Sequence, residues 1–96
     1  MTDRIEGWTF LSNHAHVLVC LAQDPELRLR EIADRVGITE RAASGIVTDL
    51  EAHGYLTRVK VGRRNTYRLH LRKPLRHPLE RRYRVGDLIE AVTHER

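Results

Sequence analysis

Arg63 and Arg64 stand side by side in Gly62-Arg63-Arg64-Asn65, between two runs that alternate apolar and basic residues, TRVKV and TYRLHLR. A guanidinium keeps its charge at any physiological pH and presents a planar fork of donors that matches phosphate oxygens. The setting strengthens the point. From Arg58 to Arg84 the chain carries eleven Lys or Arg and one acid, Glu80, whereas the rest carries six basic and twelve acidic residues. The net charge of +4 therefore conceals a polarised molecule. Such a stretch needs an anionic partner, and a nucleic-acid backbone is the one that composition favours. The plainer alternative is a solvated basic surface.

Other residue types in the chain could carry other chemistry. Six histidines and one cysteine raise the question of a metal. His14 and His16 are two apart on a helix and face different directions, and neither HxxxH nor a paired-cysteine motif occurs. His94-Glu95 would have to meet His14 or His16 of a second chain. No metal and no cofactor are expected. Cys20 reads as a small core residue in preference to a redox switch. A phosphate-cradling glycine loop and a nucleophile–base pair are both missing, so catalysis is not expected.

The elements that must position the arginines follow from length and periodicity. Ninety-six residues fit one domain, 1–96, with a small core that favours self-association. No apolar run approaches membrane-spanning length, about 20 residues. The opening MTDRIEGWTF lacks the apolar stretch of a secretory signal, and the single cysteine suits a reducing compartment, so a cytoplasmic protein is expected. A first helix is predicted over 12–23, capped by Ser12 or Asn13, with Ala15, Leu18, Val19 and Ala22 inward and Val17 and Leu21 widening the stripe. Trp8, Phe10 and Leu11 precede it and are expected on the core or at a dimer contact; a ligand pocket is the alternative for Trp8.

Leu27-Arg28-Leu29 alternates as a short strand would. Residues 30–54 predict helix, turn and helix. Arg30 to Val36 turns Ile32, Ala33 and Val36 inward, Gly37 stops it, Ile38 anchors the turn and Thr39 caps a helix from Glu40 to His53. Ala43, Ile46, Val47 and Leu50 form that helix's inner stripe. Residues 55–72 predict a hairpin with Val59, Val61, Tyr67, Leu69 and Leu71 on one face, and Arg58, Lys60, Arg68, His70 and Arg72 on the other. Pro74 and Pro78 break 73–84 into an extended basic connector. A last helix over 85–95 gathers Leu88, Ile89 and Val92, and with little core left it is expected to pack partly on a second copy.

Helix, short glycine turn, helix and hairpin make a winged helix-turn-helix. The segment REIADRVGITERAASGIVTDLEAHGYLTRVKVGRRNTYRL resembles the bacterial MarR- and ArsR-type transcriptional regulators. Ile32-Ala33, Val36-Gly37-Ile38-Thr39, Leu50, Gly54-Tyr55-Leu56 and Gly62 to Tyr67 carry the resemblance. The fold class expected is mainly α with a small β-hairpin (α+β), a winged helix-turn-helix with an added C-terminal helix.

That resemblance implies a regulator of double-stranded DNA whose recognition helix, Glu40 to His53, enters the major groove. Its outward residues are Glu40, Arg41, Ser44, Gly45, Thr48 and Glu51. Arg41 can pair with guanine O6 and N7, Ser44 and Thr48 are hydrogen-bonding residues of suitable size, and Thr39 brings a helix N-terminus near a phosphate. Gly45 departs from the family pattern, in which a longer polar side chain is usual. Close approach to DNA and weakened specificity are both open readings of it. On the wing, Arg63, Arg64 and Asn65 are expected at the tip, with Arg58, Lys60 and Arg68 holding the flanking backbone. Trp8, Phe10, Leu88, Ile89 and Val92 are the expected contacts of a homodimer, and a small-molecule effector would find its place at that seam near His14. The competing reading is a nonspecific nucleic-acid-binding or protein-interaction winged-helix module.

Overall fold

A short hydroxyl side chain opens each of the two longest helices. In the computed structural model, which describes residues 6–94, Ser12 accepts the Ala15 amide at 3.2 Å and starts α1, Asn13–Gln23. Thr39 accepts the Ala42 amide at 3.0 Å and starts α3, Glu40–Ala52. Each bond satisfies an amide that the first helical turn leaves without an intrahelical partner. Between them lies α2, Leu29–Val36, which ends at Gly37 with φ +84°. Only glycine takes that left-handed conformation without strain, and it turns the chain so that the Gly37 and Ile38 amides both reach the Ala33 carbonyl. The turn Gly37-Ile38-Thr39 thus sets α3 across α2.

Leu27-Arg28-Leu29 does not form the expected strand. Leu27 is buried, Leu29 begins α2 and the Arg28 amide donates to the Glu31 carboxylate at 2.9 Å, so helix initiation overrides the alternation.

The core joins all the helices to the hairpin. Val17, Leu18, Cys20 and Leu21 of α1 meet Ile32 and Ala33 of α2, and Ala43, Ile46, Val47 and Leu50 of α3. The α1 stripe is rotated from the expected one: Val17 and Leu21 are its centre, and Ala22 is exposed. Among the described residues no polar or charged side chain is buried. Full burial of an aliphatic side chain contributes about 1.5–3 kcal/mol, so this cluster is the main source of stability in so short a chain.

Strands β1, Leu56–Val61, and β2, Arg64–Leu69, pair antiparallel with Leu56 opposite Leu69, Arg58 opposite Tyr67 and Val61 opposite Arg64. Gly62 and Arg63 alone make the turn, and Gly62 has the positive φ, +63°, that a two-residue connection needs at its first position. This register corrects the expected faces. Leu56, Arg58, Lys60, Asn65, Tyr67 and Leu69 share the inner face; Val59 and Val61 share the outer one with Thr66 and Arg68. Val59 and Val61 are exposed, as is Leu71 beyond the strand. The hairpin overhangs the core, so only Leu56 and Tyr67 become buried strand residues.

Beyond β2 the chain is not an extended connector. It makes a closed loop whose neck is a bridge between Pro74 and Arg84, with the Leu75 amide on the Tyr83 carbonyl and the Val85 amide on Lys73. The Tyr55 hydroxyl donates to the Pro74 carbonyl at 2.7 Å, and Lys73 Nζ lies 5.6 Å from the Tyr55 ring centre. The neck delivers the chain to α4, Val85–Thr93. Val85 and Ile89 of α4 enter the same core and pack toward α1. Ile89 is therefore not the expected dimer contact, because its own chain buries it. Leu88 is half-buried, and Val92 is exposed. Glu95, the expected end of this helix, lies outside the described residues, as do residues 1–5 of the opening segment.

Trp8 and Phe10 do not fold onto the core. They are 74% and 93% exposed and meet edge to face, ring centres 4.9 Å apart. A pair of large aromatic rings left in water is unusual for a finished surface.

Candidate nucleic-acid interface

Helix α3 buries one stripe and shows another. Ala43, Ile46, Val47 and Leu50 hold it to the core, which turns Arg41, Gly45, Thr48 and Ala52 outward at i, i+4, i+7 and i+11. Arg41 and Thr48 are exposed and Ser44 is half-buried on the flank. Arg41 makes no ion pair among the described residues, so its guanidinium is available. Gly45 occupies the middle of the stripe. A Cβ built there would meet nothing within 4 Å, so packing inside the chain does not demand a glycine. With Ala42 and Ala52 also exposed, the outward face of α3 has low relief.

Two side chains fix the placement of this helix from outside the core. His14 Nε2 of α1 lies 3.0 Å from Asp49 Oδ2. Two residues further on, in the last turn of the same helix, Glu51 Oε1 lies 3.5 Å from Arg58 Nη2. The latter contact corrects a sequence expectation. Arg58 was expected outward with Lys60 and Arg68, but it sits on the inner face opposite Tyr67 and turns its charge to α3. It braces the wing against the helix. Lys60 and Arg68 are both exposed, on opposite faces of the hairpin.

At the wing tip only Arg63 lies in the turn. Arg64 belongs to β2, paired with Val61, and its Nη2 donates to the Glu26 carbonyl at 3.1 Å. Nearby the Tyr67 amide and the Thr66 hydroxyl both donate to the Pro25 carbonyl. The segment before α2 thereby holds the free edge of β2, and the wing leans against the helix-turn-helix instead of standing alone. Arg64, Asn65 and Arg63 line a groove of about 380 Å³ with Arg28, Arg30 and Glu40. Sequence reasoning missed Arg28 and Arg30. Their position two apart at the opening of α2 was the available signal, but they lie outside the basic stretch.

His14 and His16 take separate partners, Asp49 and Asn13, as their spacing implies. Burial pushes the Cys20 thiol above its ordinary pKa, the nearby Arg35 offsetting only part of the effect.

Three helices in this arrangement, followed by a cationic two-strand wing beside an exposed second helix of the turn motif, define a winged-helix protein of the DNA-binding type. A family model described as "MarR family" matches residues 12–61, just over half of the chain. The chain belongs to the MarR family, whose members are DNA-binding transcription regulators of winged-helix type and not enzymes. The match takes in α1, the helix-turn-helix and β1. The second wing strand, the closed loop and α4 lie beyond it. No curated protein matches the chain. Among the described residues no helix is long and apolar enough to cross a membrane.

Proposed function

We propose that this regulator reads duplex DNA in a sequence-dependent way as a homodimer, with α3 in the major groove and the wing on the neighbouring backbone or minor groove. One observation carries the reading: the outward stripe of α3 presents Arg41 and Thr48 on a face otherwise low in relief and free of large apolar side chains, and a cationic hairpin is braced beside it by the Arg58–Glu51 contact. A face evolved to dock protein would be apolar at its centre. In this reading Arg41 contacts a base edge, Ser44 and Thr48 add hydrogen bonds, Glu40 borders the site and Thr39 brings amides to a phosphate. Gly45 lets the helix axis approach the groove closely. Arg63, Lys60 and Arg68 supply backbone attraction.

Homodimerisation is supported by the exposed Trp8–Phe10 pair and by the open side of α4 at Leu88 and Val92. A small core gains from a partner that covers such residues. The competing reading is a nonspecific nucleic-acid module, which the small side chains of Ala42, Gly45 and Ala52 favour because they read nothing. Parallel titration of duplex DNA, single-stranded RNA and a simple polyanion separates the two. Preference for duplex, with one sequence bound at least tenfold above another, supports the regulator. Equal binding to all three overturns it.

A further inference from the structure

The groove between the opening of α2 and the wing has an unusual charge content. Arg28, Arg30, Arg63 and Arg64 line its 380 Å³ with a single carboxylate, Glu40. None of the four is in an ion pair among the described residues, and the one side-chain hydrogen bond they make is Arg64 to the Glu26 carbonyl. Like charges gathered in a concavity repel one another and focus a positive potential into it. An anion in the groove relieves that repulsion.

Placement supplies the anion. With α3 in a major groove and the hairpin on the adjoining minor groove, the sugar-phosphate strand dividing the two must pass between α3 and the hairpin. This groove opens at that point, since Glu40 at the start of α3 borders it together with Arg63, Arg64 and Asn65 of the hairpin. We propose that it seats one strand of the duplex backbone, with Arg28 and Arg30 donating to phosphodiester oxygens from the α2 side and Arg63 from the wing side. The proposal rests on the duplex-DNA reading above and adds two contact residues to it. Such contacts set affinity and register and carry no base information. Glu40 acts in the opposite sense, because its carboxylate repels the same phosphates and holds affinity down.

The test is fluorescence anisotropy over a salt series, on a duplex selected by the wild type and on an unrelated duplex. Arg28→Ala/Arg30→Ala is compared with Arg81→Ala/Arg82→Ala, which removes equal charge outside the groove. The groove variant is expected to lose about tenfold or more on both duplexes and to flatten the log K against log salt slope by roughly 2 per chain. Glu40→Gln is expected to tighten both complexes, a gain that misfolding does not produce. If the wild type binds duplex but the groove variant loses no more than its control, or Glu40→Gln does not tighten binding, the backbone seat is wrong and the DNA reading stands. If the wild type itself fails to bind duplex, both fall.

Discussion

Arg64 Nη2 lies 3.1 Å from the carbonyl oxygen of Glu26, joining the first residue of the second wing strand to the loop before α2. The two arginines of Gly62-Arg63-Arg64-Asn65 therefore have different work. Arg63 sits in the turn and has no partner among the described residues; Arg64 spends one donor on tethering the wing. Arg63→Ala is expected to weaken binding to every duplex alike, lowering the salt slope by about 1 per chain, and to leave the melting temperature unchanged. Arg64→Ala is expected to lower the melting temperature as well, by a few degrees, since losing one exposed hydrogen bond costs about 0.5–1 kcal/mol. Thermal melts alongside the binding curves separate the two. Identical behaviour of the variants would contradict the division.

Gly45 makes an opposed pair of expectations. A Cβ there meets nothing within 4 Å. Gly45→Ala removes the helix-propensity penalty of glycine and is expected to stabilise the free protein by about 1 kcal/mol. If α3 approaches the groove as closely as proposed, the added methyl weakens DNA binding while it raises the melting temperature. A stabilised variant with unchanged affinity would show that the glycine is not a contact.

Arg41 and Arg63 divide specificity from affinity. Arg41→Ala is expected to relax preference at one base pair by about 1–3 kcal/mol, read as a change in the selected sequence. A uniform loss on all duplexes would instead make Arg41 a backbone contact.

Cys20 is a core side chain of α1, and burial raises its thiol pKa. The folded state then holds its proton more tightly than the unfolded state does. Its contribution to stability is complete below the unfolded thiol's range, about 8.5, and is lost as pH rises through the higher folded value. Denaturation curves between pH 7 and 10 are expected to fall more gently for Cys20→Ala than for the wild type, after allowance for a lower starting stability. Parallel curves would contradict the assignment.

Local signals were the legible ones. Gly37, Thr39 and the Ala43–Leu50 stripe lie within a few residues of what they determine, and the turn and α3 follow from them. The wing faces did not follow, because Val59 and Val61 are apolar yet lie beyond the core's reach, while Arg58 points inward to Glu51. Alternation gives a period but not its phase when a hairpin overhangs. Ile89 belongs to the core through contact with α1, a long-range relation that a nine-residue helix does not advertise. Arg28 and Arg30 escaped notice for a similar reason: folding, not sequence adjacency, brings them to the wing.

In the proposed complex, α3 and the wing of two protomers read duplex DNA as a symmetric pair. Selection of bound oligonucleotides from a random duplex pool reads out that symmetry. The expected outcome is enrichment of an inverted repeat whose half-sites are centred one helical turn apart, about 34 Å, with loss of preference at one position per half-site in Arg41→Ala. A pool that stays random after repeated rounds, or that converges on a site without two-fold symmetry, would contradict it.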